Sequence, residues 1–245
     1  MAKLFGNLTA NTAVQRFAQL LKHHGPAKTL AVCAAMVDDQ HIRMFDRWYG
    51  VRTSGHVELK DTSFNPERLK DATSYGPVNA WGLRNLLKRL QLPTSLGFVD
   101  LGSGQGRACL IAAEYGFERV TGVELAAELC KVARENVAKF RLPLAGKPPI
   151  QILEADVLDY CDHSTDDVFF MYRAFSVEFL STVLKKLVAR AAVLKKPLTV
   201  IYTERLAWPQ SPSVAALAEH GAFQKVYEGS FWGQAFFVYR SEPQP

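Results

Sequence analysis

Cysteine is scarce in these 245 residues, four in all, and none stands in a C-x-x-C pair. That spacing leaves out the usual zinc and dithiol redox motifs and suits a reducing, cytoplasmic compartment. The six histidines show no metal-type spacing either. His23-His24 reads as a helix end, where histidine favours the dipole. No metal site is expected. The longest apolar run, Leu30-Ala31-Val32-Cys33-Ala34-Ala35-Met36-Val37, falls far short of the roughly 20 residues of a membrane span. No secretory signal with a basic start and a long apolar core is visible. Acids are missing from residues 1–37, as in an organellar presequence, but with one arginine the stretch reads as a helical arm. Dense Lys/Arg runs and aromatic–basic stripes are absent too. A net charge of +5 therefore permits an acidic partner without demanding one, and nucleic acid is not the expected partner.

What is present is ordinary in bulk and distinctive in one place. Apolar residues make up 48% and charged residues 22%, as in a globular protein of one or two domains. Residues 98–107 read Phe98-Val99-Asp100-Leu101-Gly102-Ser103-Gly104-Gln105-Gly106-Arg107. The apolar start suits a buried parallel strand. The three glycines allow a sharp turn and a close approach to a ligand. Ala108 through Tyr115 continue as a helix whose free N–H groups face the turn. This is a cradle at the carboxyl end of a first strand, where open α/β sheets bind small molecules.

A second strand, Arg119-Val120-Thr121-Gly122-Val123-Glu124, ends in an acid 22 positions after Gly102. A carboxylate there can accept two hydroxyls of a ribose diol, though a strand end or a helix cap would also explain it. The spacing separates two ligand classes. A dinucleotide fingerprint needs G-x-G-x-x-G, whereas here Gly102, Gly104 and Gly106 alternate and bulky Arg107 follows. Asp100 just ahead of the turn repels a pyrophosphate and favours a sulfonium or an ammonium.

With Val99-Asp100-Leu101-Gly102-Ser103-Gly104-Gln105-Gly106, Glu124, and Glu154-Ala155-Asp156 after a third strand, the chain resembles class I S-adenosylmethionine-dependent methyltransferases across roughly residues 75–240. The resemblance implies S-adenosylmethionine as cofactor. By it Asp100, Gly102, Ser103, Gly104 and Gly106 surround the methionine part, Glu124 holds the ribose with Leu125 beside it, and Asp156 and Val157 meet the adenine. The N-cap of a short helix is an equal reading of Asp156. Tyr75-Gly76-Pro77 and the run Val168-Phe169-Phe170-Met171-Tyr172-Arg173-Ala174-Phe175 are similar to the non-SET lysine methyltransferases of the disruptor-of-telomeric-silencing group. There a tyrosine before the first strand lines the cofactor site, which maps to Tyr75. An asparagine follows the fourth strand. Arg173-Ala174 stands in its place, while Phe175 keeps the aromatic. Arginine offers no acceptor, and its charge disfavours a lysine ammonium while favouring a carboxylate or phosphate.

A sulfonium methyl is already electrophilic, so the expected chemistry is alignment of an N or O acceptor for in-line attack. Tyr75, Tyr172, Arg173 and Phe175 are the expected residues around the methyl. Tyr172 would serve as a base only if its phenol fell far below its usual ~10, so Tyr172 and Tyr75 read as positioning groups or as core aromatics. Trp208-Pro209 and Phe231-Trp232 occupy loops where an acceptor could stack, or where a plug beneath a lid would sit. The acceptor is a small molecule or a protein side chain. A lysine-specific enzyme, an NAD-dependent oxidoreductase with an aberrant turn, and a cofactor-binding protein without turnover are the alternatives.

The expected architecture is α/β: a seven-stranded, mostly parallel Rossmann-like methyltransferase sheet, a C-terminal antiparallel hairpin and an N-terminal helical arm. Strands are expected at 97–101, 119–124, 150–154, 167–172, 197–203, 223–229 and 234–240. Helices are expected at 77–90, 105–115, 126–140, 176–194 and 212–220. Residues 1–74 read as arm and lid, with helices over 11–24 and 27–49. Residues 50–74 read as a mobile polar connection, and the family resemblance implies that it covers the cofactor as a lid. Residues 75–245 read as the catalytic domain. Cys109 and Cys130 fall on helix faces expected in the core.

Overall fold

The computed structural model describes residues 40, 43–55, 57, 76–140, 150–205 and 211–241. Residues 43–49 are helical (α1). There follow α2 (Ala80–Leu90), β1 (Gly97–Leu101), α3 (Arg107–Tyr115), β2 (Arg119–Glu124), α4 (Ala127–Lys139), β3 (Ile150–Glu154), α5 (Val157–His163), β4 (Val168–Tyr172), α6 (Val177–Leu194), β5 (Thr199–Arg205), α7 (Pro212–Glu219), β6 (Phe223–Phe231) and β7 (Gln234–Ser241). Local chemistry sets several of these bounds. Asn79, in extended conformation, accepts a hydrogen bond from the Gly82 N–H, so α2 begins at Ala80 rather than at residue 77. Gly50, at φ 68°, follows the last helical residue of α1 as a left-handed stop.

The strands form one sheet in the order β3-β2-β1-β4-β5-β7-β6. β1 to β5 pair in parallel, and β7 lies antiparallel between β5 and β6. The order reverses at β1, which puts a crevice at its carboxyl end. Trp232 and Gly233 join β6 to β7 with φ of 50° and 77°. Positive φ at both central residues matches the twist of paired strands. The four-residue connection expected at 230–233 is shorter because Ser230 and Phe231 stay paired with Ala235 and Gln234. β5 lies two residues later than expected, and α5, missing from the expected helix ranges, is the short helix that the capping reading of Asp156 implies.

Side chains alternate across the sheet into two cores. Phe98, Val120, Phe170, Ile201 and Phe236 pack with α2, α3 and the inner face of α4. Val99, Val123, Phe169, Val200 and Phe237 pack with α5, α6 and α7. Cys109 and Cys130 are buried in the first core and Cys161 in the second. Among the described residues no helix is long and apolar enough to cross a membrane, and no three metal-ligating side chains cluster.

Residues 51–55, expected to be mobile, are instead fixed. Thr53 is fully buried and Val51 nearly so. Asn136 of α4 accepts the Arg52 N–H at 2.8 Å and donates to the carbonyls of Arg52 and Gln105 at 2.9 and 3.0 Å. Arg107, 1% exposed, anchors the same strap. Its Nε donates to Thr53 Oγ1 at 2.6 Å and its Nη2 to Asp46 at 3.1 Å, and its guanidinium lies 4.9 Å from the Phe45 ring centroid. Asp46 also accepts the Thr53 and Ser54 N–H groups at 2.7 Å. Polar Arg52, Thr53 and Ser54 carry the pattern of a mobile connection. Their backbone groups are satisfied by buried side chains that are distant in sequence.

Candidate functional site

The turn from β1 to α3 is built as a cup. Gly102, Gly104 and Gly106 have φ of 80°, 53° and 84°. Gly102 is required on two counts: its backbone is left-handed, and a Cβ there would lie 3.0 Å from that of Ala174. The Gly102 and Ser103 N–H groups both donate to the Val123 carbonyl, at 2.9 and 3.0 Å, which ties the loop to β2. The Ser103 hydroxyl turns inward: it is buried without a hydrogen-bond partner, and a Cβ on Gly122 would approach it to 2.8 Å. Ser103 therefore shapes the cup through its backbone.

Two acids meet beneath this loop. Glu124, 7% exposed, accepts the Gly104 N–H through Oε2 and the Ala126 N–H through Oε1, both at 2.9 Å. The carboxylate keeps acceptor capacity for a further donor. Burial pushes its carboxyl up, while the backbone N–H groups of Ala126, Gly104 and Leu125 pull it down. Asp100 has no such backbone support. Burial, and then the charge of Glu124, push its carboxyl up to about 8. The sequence argument took Asp100 as a standing negative charge. The rise favours the protonated form near neutral pH, and a bound cation would favour the carboxylate.

The rim follows β2 and β3. Leu125, beside Glu124, is 38% exposed. Asp156 caps α5, accepting the Leu158 N–H at 2.8 Å, and Val157 is buried as the first helical residue. The capping reading of Asp156 is thus realised, and it leaves Asp156 at the carboxyl end of β3, two strands from Asp100.

The opposite side is formed by the exits of β4 and β5. Phe175 stands over the glycine loop, 3.7 Å from where a Gly102 Cβ would be, and stacks at 4.9 Å on Phe179. Tyr172 accepts a hydrogen bond from Arg205 Nε at 3.1 Å. Arg173 has φ 41°. Its charge acts on the Tyr202 phenol, opposing the rise that burial imposes there. Tyr202 belongs to the second core and Tyr172 packs against the first, so the two neighbours serve different faces. Tyr75 and Trp208-Pro209 lie outside the described residues. Trp232 is 50% exposed, 6.4 Å from Trp81, which meets Trp48 edge-on at 5.8 Å. Two residues escaped the sequence reading: Arg107, noticed only as a bulky side chain, and Gln234, fully buried at the start of β7. One charge opening an otherwise apolar helix was the available signal for Arg107.

Known proteins match this geometry. A profile of the family described as "Histone methylation protein DOT1" matches residues 69–146, which include the glycine loop and Glu124. Ribosomal protein L11 methylase from Lactobacillus delbrueckii subsp. bulgaricus aligns at a TM-score of 0.50 and 21% identity, over 65% of this chain and 77% of its own. Magnesium protoporphyrin IX methyltransferase (ChlM) from Synechocystis PCC 6803, with S-adenosylhomocysteine bound, aligns at 0.50 and 14% identity, over 65% and 80%. The chain has the class I S-adenosylmethionine-dependent methyltransferase fold. Among curated proteins, none matches it in sequence.

S-adenosylmethionine is the cofactor of that methyltransferase fold, and the residues present suit it. The left-handed glycine turn, the buried Glu124 carboxyl and a second buried acid, Asp100, all converge at the crevice. The methyltransferase fold does not separate acceptor classes. The expectation against nucleic acid, drawn from charge alone, gains no support from the comparisons.

Proposed function

We propose that the protein transfers the methyl group of S-adenosylmethionine to an N or O acceptor presented at the carboxyl ends of β4 and β5. The observation that carries this reading is the acid pair, Asp100 and Glu124, enclosed by the glycine turn at the point where the strand order reverses. In this reading Glu124 accepts the ribose hydroxyls and Asp100 faces the methionine ammonium. Leu125 and Val157 flank the adenine, with Asp156 at its edge. When bound, S-adenosylmethionine supplies an electrophilic sulfonium methyl. The chain's own task is then to orient the acceptor and exclude water, a contribution worth several kcal/mol of barrier.

Phe175 closes the cup over Gly102. Tyr172, held by Arg205, serves as a positioning group for the acceptor, as Tyr75 does from the approach to α2. Arg173 replaces an acceptor amide with a fixed positive charge, which speaks against a lysine ammonium as substrate. Calorimetry with S-adenosylhomocysteine and with NAD tests the cofactor: preferential NAD binding ends the reading. Incubation with labelled S-adenosylmethionine and fractionated extract tests turnover. Transfer to no fraction leaves a binding protein.

A further inference from the structure

The exits of β4 and β5 and the start of β7 gather polar groups that the cofactor does not use. Tyr172 pairs with Thr203, and Arg205, two residues on, pairs with Gln234. Paired residues, and residues two apart, share a face of the sheet. Tyr172, Thr203, Arg205 and Gln234 therefore line the face that carries α2 and α3. Thr203 Oγ1 is committed to the Ala235 carbonyl at 2.7 Å. Glu204, between Thr203 and Arg205 in sequence, points to the other face, where it accepts the Ser211 N–H at 3.2 and 3.3 Å.

Gln234 is the informative member of this row. It is 0% exposed, and its Oε1 accepts the Asn79 N–H at 3.2 Å, at the start of α2. That backbone donor needs an oxygen, which fixes which way the amide faces. The Nε2 group then keeps two buried hydrogens with no partner. A buried amide left unpaired carries the full cost of its desolvation, and a ligand oxygen is one of the few things that relieves it. Arg205 is its register partner on β5, and its guanidinium donates to the half-buried Tyr172 of β4. The row offers hydrogen-bond donors and positive charge.

We propose that this row is an acceptor subsite, and that the methyl acceptor carries an anionic oxygen group, a carboxylate or a phosphate, held by Gln234 Nε2 and Arg205. The role of the subsite rests on the methyltransferase reading; its charge preference does not. The test uses the full chain, isotope-labelled and saturated with S-adenosylhomocysteine. Acetate and inorganic phosphate are titrated separately while the Gln234 side-chain amide and the Arg205 Nε–H are followed by NMR. Both signals should shift saturably with at least one anion, and the tighter of the two assigns the group. Arg205→Gln should weaken that anion about tenfold, the share expected of a charge-assisted bond, and leave S-adenosylhomocysteine affinity within about twofold. Gln234→Met, similar in volume but without a donor, should weaken it about fivefold or more. Non-saturating shifts with both anions, or equal affinity in both variants, overturn the proposal. If S-adenosylhomocysteine itself fails to bind, the cofactor reading falls instead, and the same titration on the free chain still decides the subsite.

Discussion

Asp100 gives the sharpest test of the cup. Its carboxyl is pushed up to about 8 by burial and by the charge of Glu124. At pH 7 about one molecule in ten then carries the ionised form, and at pH 6 about one in a hundred. A ligand whose ammonium requires the carboxylate binds in proportion to that share. S-adenosylhomocysteine affinity should therefore rise about tenfold, or about 1.4 kcal/mol, from pH 6 to 7, about fivefold more from pH 7 to 8, and level off above. Titration calorimetry in buffers of different ionisation enthalpy should show about one proton released at pH 6. In the free chain the sign is opposite. A carboxyl raised in the folded state contributes stability that is present below about pH 4 and lost as pH climbs to about 8, so added ligand should stabilise most on the alkaline side. Asp100→Asn should flatten the affinity profile and weaken binding above pH 8 by about tenfold or more. Constant wild-type affinity from pH 6 to 8, with no proton released, would refute the reasoning.

Glu124→Ala should weaken S-adenosylhomocysteine binding about tenfold or more, since a charge-assisted bond is worth roughly 1.5–3 kcal/mol; unchanged calorimetric affinity would remove Glu124 from the site. Gly102→Ala should lose about 1–2 kcal/mol from its left-handed backbone alone, read by urea unfolding, because the Ala174 methyl also blocks the new side chain. Asp46→Ala removes a carboxylate partner of the buried Arg107 guanidinium and the acceptor of the Thr53 and Ser54 N–H groups, and should cost about 3 kcal/mol, a fall in Tm of roughly 10 °C. A shift no larger than that of a surface Asp→Ala variant would show that the clamp is not load-carrying. Arg173→Asn should be neutral or slightly stabilising, because asparagine accepts φ 41° more readily than arginine. An unaltered acceptor range in that variant would discard the charge argument made for Arg173.

The central sheet was legible because short strand-type segments alternate with helical ones along the chain. Gly97–Leu101, Arg119–Glu124 and Ile150–Glu154 fall where the sequence put them. Val157–His163 escaped because seven residues with Asp159, Asp162 and His163 show no helical stripe, and only its cap, Asp156, was visible. The cup was legible too, since its glycines and acids are fixed by the immediate backbone. The strap was not. Its stability comes from Asp46, Arg107 and Asn136, which local periodicity cannot connect. Gln234 was hidden for the same reason: a polar residue opening an apolar strand shows its meaning only once Arg205 and Asn79 stand beside it.

The strap also bears on how the protein is made. Arg52 leaves the ribosome 84 residues before Asn136, its partner on α4. At about 5–20 residues per second, Thr53 waits roughly 3–11 s for Arg107, and Arg52 roughly 4–17 s for Asn136. The nascent amino-terminal segment must stay soluble on its own through that interval. It docks only after the glycine turn and the two helices beyond it have been synthesised.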